Sequence, residues 1–162
     1  MSENEQEWFI VERGRALARM HLTRRDDLIV TEAGKDVGLD YLVYITKADE
    51  KPSVRQFGLA LRSTRNAVTE EKLSKVLRPT MQALLRVGDF PYPVCLFSFT
   101  MEDNQGYSTW IAEPVLTEDG KPRLRMHSAA SCTKLDRAAL DRIVNQVDAW
   151  YDAFFSSIVI SA

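Results

Sequence analysis

The chain has 162 residues, 45% of them hydrophobic and 27% charged, and its 21 basic against 23 acidic side chains leave a formal charge of -2. These figures fit one ordinary soluble domain able to build a core without disulfide or metal staples. They exclude wholesale disorder, a spanning helix and a domain-wide positive field of the kind a sequence-independent nucleic-acid binder carries.

The amino-terminal stretch MSENEQEWFIVERGR places acids where a secretory leader needs a basic patch and an apolar run, so a cytoplasmic location is the default expectation. Cys95 and Cys132 are too few and too far apart for a disulfide framework or a zinc site, and both read as reduced packing residues. From Glu5 to about Leu22 the pattern is helical, with Phe9, Ile10, Val11, Ala16, Leu17, Ala18 and Met20 on a broad apolar arc and Glu12, Arg15 and Arg19 on the opposite stripe. Leu28-Ile29-Val30 reads as a short strand, and Gly34 and Gly38 bracket a turn before a second strand over Leu39–Ile45. A turn around Asp49-Glu50-Lys51-Pro52 leads to a third strand, Val54 to Ser63, so the second and third form a hairpin.

Thr69 to Val87 reads as a helix that opens on acids and is kinked or split at Pro79. Pro93 to Thr100 is nearly continuously apolar, as a central strand buried on both faces should be. Gly106–Val115 and Arg123–Ala129 supply two more strands. A last helix over about 135–155 follows Thr133 and Asp136 in capping-box spacing, with an apolar stripe of Leu135, Ala139, Ile143, Val147, Trp150, Tyr151 and Phe154. The tail Ile158-Val159-Ile160 is a short strand or an adhesive end. No repeat or linker divides the chain, so residues 1–162 are expected to form a single α/β domain, a mixed β-sheet flanked by helices.

Chemistry concentrates in Asp36-Val37-Gly38-Leu39-Asp40-Tyr41 and Gly58-Leu59-Ala60-Leu61-Arg62-Ser63. Alternate strand residues share a face, so Asp40 and Arg62 could meet across the hairpin, with Glu12 arriving from the first helix. Asp36 could equally be a turn residue, because Asp bonds its own backbone there. The helical Glu12-Arg13-Gly14, the Asp-x-Gly-hydrophobic-Asp turn, the strand ending in hydrophobic-Arg62-Ser63, the later Pro91-Tyr92-Pro93-Val94 and the strand Tyr107-Ser108-Thr109-Trp110 follow one another in a set order. In that order, over roughly residues 5 to 115, the chain resembles the PD-(D/E)XK nuclease superfamily, and within it a prokaryotic domain-of-unknown-function group reading Glu…Asp-Gly-Ile-Asp…Gln-x-Lys.

That resemblance implies a restriction-endonuclease-like fold and a site in which Glu12 matches the first-helix acid, Asp40 the metal-binding aspartate and Arg62 the lysine. The family's Glu or Gln ligand falls on Ala60, whose side chain supplies no oxygen to Mg²⁺, and arginine stays protonated where a lysine helps activate water. Glu12 or Asp36 would have to replace the missing ligand. Arg62 would still stabilise phosphate charge, or form an ion pair with Asp40 that needs no metal. Arg15 and Arg19, within the cluster Arg13, Arg15, Arg19, Arg24 and Arg25, are the candidate phosphate contacts, although a solvated helix face has the same composition.

The expectation is therefore a nuclease-fold protein with a degenerate centre, acting as a non-catalytic subunit or adaptor. The resemblance places such chains in prokaryotic anti-phage defence or mobile-element systems. Its partner is another protein subunit or a second copy, with nucleic acid as a further candidate and no membrane. The first alternative is a Mg²⁺-dependent nuclease of DNA or RNA using Glu12, Asp40 and Arg62. The second is an interaction or oligomerisation domain with no nucleic-acid role. His21 and His127 are isolated in sequence and read as surface or packing residues.

Overall fold

The computed structural model describes residues 3–34, 38–46, 54–87, 89–158 and 161. Asp36, the turn at 49–52 and Val159-Ile160 lie outside the described residues. In chain order the elements are α1 (Glu3–Leu22), β1 (Leu28–Glu32), β2 (Tyr41–Ile45), β3 (Gln56–Thr64), α2 (Glu70–Val87), β4 (Val94–Thr100), β5 (Gln105–Leu116), β6 (Pro122–Met126), β7 (Thr133–Lys134) and α3 (Arg137–Ser156). The strands join in one seven-stranded sheet of order β1-β2-β3-β4-β5-β6, with β7 also on β5. Neighbours are antiparallel except β3 and β4, which run parallel. A parallel neighbour cannot be reached by a tight turn, and α2 supplies the crossover. The expected mixed α/β class holds, as does the antiparallel pairing of the second and third strands.

Strand alternation splits the apolar residues between the two sheet faces. Val43, Phe57, Leu59, Phe97 and Phe99 pack under α1 and α3, beside Ala18, Leu140, Ile143 and Val147. Ala60, Leu96, Ile111 and Ala112 face Leu73, Leu77 and Met81 of α2. Covered by helices on both sides, all seven residues of β4 are buried, which is why this strand reads as a continuous apolar run. Each of its buried phenylalanines contributes about 1.5–3 kcal/mol of burial free energy.

The first helix corrects the expected arc. Phe9, Val11 and Met20 are exposed, as is Trp8, whereas Gly14, Ala18, His21 and Leu22 are buried. Closeness of approach, not hydrophobicity, selects this face: a side-chain carbon added at Gly14 would overlap Ser63 Oγ of β3, so the helix backbone lies directly on the sheet. Small residues at i and i+4 form the contact, and the large apolar ones are left outside it.

The second correction is at Pro79, which does not split α2 in two: the helix is continuous from Glu70 to Val87. Pro79 and Lys75 are on the exposed side, where solvent can satisfy the Lys75 carbonyl that proline leaves without its helical N–H partner. The third concerns the start of α3. Asp136 itself is the N-cap, its Oδ1 accepting the Ala139 amide at 2.7 Å, while Thr133 belongs to β7. Phe154 lies at the exposed end of the expected stripe and stacks on Trp150 with ring centroids 5.9 Å apart. Trp150 Nε1 donates to the Arg123 carbonyl (2.9 Å) and Tyr151 Oη to that of Gln56 (3.0 Å), which fastens the second half of α3 to the sheet. No helix among the described residues is long and apolar enough to cross a membrane.

Candidate functional site

Asp40 stands one residue before β2, after Gly38, whose φ of 73° is a left-handed value that glycine tolerates without strain. The ladder between β2 and β3 ends at Tyr41 opposite Leu59, but β3 continues to Thr64. Beyond that point the Leu61 amide faces the β2 side without a strand partner. Asp40 fills the gap: its own amide donates to the Leu59 carbonyl (2.9 Å), and its Oδ2 accepts the Leu61 N–H at 2.8 Å. A buried amide without a partner is costly, so this position has a structural reason to carry a carboxylate.

The other carboxylate oxygen faces α1. Arg15 Nη2 lies 3.7 Å from Asp40 Oδ1, and Arg15 Nη1 lies 3.9 Å from Glu12 Oε1 one turn earlier. Glu12 and Asp40 thus converge as the sequence suggested, with the Arg15 guanidinium between them. The guanidinium is a partly solvated counter-charge to both acids.

Arg62 does not take part. Its Nε donates to Thr80 Oγ1 on α2 (3.1 Å) and its Nη1 to the Leu61 carbonyl (3.4 Å). The expected pairing of Asp40 with Arg62 is replaced by Asp40 with Arg15, for a reason of register. Opposite β2 the strand β3 reaches only Leu59, and three residues further on Arg62 has moved past Asp40 onto the face covered by α2. Ala60 packs in the α2 cluster and brings no ligand oxygen. Among the described residues no group of three or more His, Cys, Asp or Glu is arranged to hold a metal ion.

Three more basic residues of the cluster, Arg13, Arg19 and Arg25, have intramolecular occupations. Arg19 lies over the Tyr41 ring, 5.0 Å from its centroid, and Arg13 Nη2 donates to Asn104 Oδ1 at 2.7 Å. Arg25 bridges Asp27 (2.9 and 2.7 Å) and Asp141 of α3 (2.6 Å), which raises its pKa and holds the Asp27 carboxyl below its ordinary value. His21 is a packing histidine as expected, stacked on Phe99 at 5.9 Å, and burial lowers its pKa, with the Arg24 charge adding to the effect. Cys95 and Cys132 are both free thiols.

His127, which the sequence reads as an isolated surface or packing residue, has a charged partner. Its Nε2 lies 2.6 Å from Glu113 Oε2, and Glu113 also receives Gln146 Nε2 (3.4 Å) and faces Arg125 Nη1 (3.9 Å). The signal was the hairpin of β5 and β6. A tight turn with Gly120 at φ 77° pairs Glu113 with Arg125 and makes His127 its diagonal neighbour. The chain finds no match among protein-family models, curated proteins or solved structures.

Proposed function

We propose that this protein is a non-catalytic subunit or adaptor on a nuclease-like α/β fold, working by binding another protein in a prokaryotic defence or mobile-element system. The observation that carries the non-catalytic part is the occupation of Asp40, with one oxygen on the Leu61 amide and the other facing Arg15. A Mg²⁺ centre needs several oxygen ligands in near-octahedral array, whereas here Ala60 offers no side-chain oxygen and Arg15 holds the place between the two acids. The nuclease-like part rests on the motif order together with a first helix, a three-strand antiparallel meander, a crossover helix and a parallel fourth strand. The partner-binding part rests on α1, where Trp8, Phe9 and Val11 are 66%, 59% and 48% exposed.

The test incubates the protein with plasmid and single-stranded DNA and RNA, with Mg²⁺ or Mn²⁺, beside Asp40→Ala. The expected result is no cleavage by either protein. Metal-dependent cutting that Asp40→Ala abolishes would establish the nuclease instead, with Glu12 and Asp40 as ligands. A salt titration of nucleic-acid binding completes the comparison, because phosphate contacts through Arg15 or Arg19 would weaken steeply with ionic strength.

A further inference from the structure

The edge of the sheet is interrupted beside β5. β7 pairs with Tyr107 and Ser108, and β6 pairs with Ala112 to Leu116, so Thr109 to Ile111 have no strand on that side. The loop between β6 and β7 bridges the gap through two hydrogen bonds, His127 N–H to the Ile111 carbonyl (2.9 Å) and Ser131 N–H to Thr109 Oγ1 (3.0 Å). Between this loop, the strand and α3 lie two adjoining cavities of about 280 and about 140 Å³, which share Thr109, Trp110, Ser131 and Thr133. The larger reaches Glu113 and His127, and the smaller reaches Arg142 and Gln146.

The lining chemistry has a direction. Thr109 Oγ1 already accepts the Ser131 amide, which leaves its own hydroxyl proton to donate, and Ser131 and Thr133 add two more hydroxyls. The Glu113 carboxylate is answered by His127, Gln146 and Arg125. The carboxylate next to Arg142 in sequence, Asp141, is held by Arg25. Arg142, in no ion pair among the described residues, is therefore the lining cation that the protein's own acids leave for a ligand. A guanidinium, three hydroxyls and an indole in one lining suit an oxyanion on a compact body.

We infer that the notch between β5, the β6–β7 loop and α3 is a binding site for a small oxyanion-bearing molecule, a phosphate monoester or a carboxylate, with Arg142 as its anchoring charge. The site is separated from Asp40 by β3 and β4 and is independent of the reading proposed for that residue.

The test is a titration followed by amide and indole NMR of the full chain with inorganic phosphate and, separately, with acetate, at constant ionic strength. Saturable shifts confined to Thr109, Trp110, Ser131 and Thr133 are expected with at least one of the two. Saturation by phosphate alone assigns a phosphate monoester, and saturation by acetate alone assigns a carboxylate. Arg142→Ala, at an exposed helix position, is expected to raise the Kd at least tenfold, with Arg142→Lys between it and wild type. No saturable shift with either anion, or an unchanged Kd in Arg142→Ala, overturns the site.

Discussion

Replacing Asp40 separates a structural carboxylate from a metal ligand. Asp40→Ala removes the acceptor of the Leu61 amide, a charge-assisted hydrogen bond of 2.8 Å whose loss costs about 1.5–3 kcal/mol. The contact with Arg15 at 3.7 Å, between side chains 38% and 26% exposed, adds at most ~1 kcal/mol once solvent screening is counted. Asp40→Asn keeps an oxygen for the amide and loses only the charge, so its cost should be about 1 kcal/mol. With a urea slope of about 2 kcal/mol/M, the alanine variant should lower the unfolding midpoint by roughly 1 M and the asparagine variant by roughly half of that. Thermal midpoints should fall by about 2–4 °C per kcal/mol for a chain of this size. A carboxylate kept for metal binding predicts the reverse, because relieving a strained functional site commonly stabilises the fold. Equal losses in the two variants, or a raised midpoint in either, would refute the assignment of Asp40 as the cap of the β3 amide.

Stability should also depend on His21. Its folded pKa lies below the ordinary value, so the unfolded chain binds the proton more readily; the contribution is complete above about pH 6.5 and is lost as pH falls from there through the lowered folded value. Urea midpoints at pH 7.5 and 5.5 should differ more in wild type than in His21→Phe, and parallel slopes would remove His21 as the source. Gly14→Ala should gain less than alanine's helix advantage of about 1 kcal/mol because Ser63 must turn its Oγ away, and adding Ser63→Ala should recover the whole of it; a single variant as stable as the double would refute a cost for displacing the Ser63 hydroxyl. Asp136→Ala should cost about 1 kcal/mol in the same assay and Asp136→Asn very little, and equal effects would argue against the N-cap. A thiol reagent at neutral pH should modify Cys132 slowly and Cys95 only on unfolding, because burial raises both pKa values and encloses Cys95 fully; fast reaction of two thiols in the native protein would contradict this.

The elements most legible in the sequence were those whose pattern is local. The continuous apolar run at Val94–Thr100 marked a strand covered on both faces, and the stripe Ala139, Ile143, Val147 and Tyr151 marked the buried side of α3. Where a position is decided by a distant contact, the pattern misled. Phe9 and Val11 look like core residues and are exposed, because Gly14 and Ala18 bring α1 onto the sheet. Of the candidate site, the convergence of Glu12 and Asp40 was readable, but the cation between them comes from α1, not from β3. Arg62 is three residues beyond the end of the ladder at Leu59, and its partner was not predictable, since Thr80 claims it only once the crossover helix has packed.

By itself the sequence determined the class: a near-neutral chain of helix, three strands, helix, further strands and helix, with enough apolar residues for a two-sided sheet. Those properties follow from composition and from periods of 2.0 and 3.6 residues, which need no knowledge of neighbours. The tertiary structure alone decided what the charged residues do. Asp40 caps an amide, Arg15 rests between two acids, Arg62 turns to Thr80 and His127 meets Glu113. Each outcome depends on strand register and on where one ladder stops, and a shift of a single residue would redirect all of them.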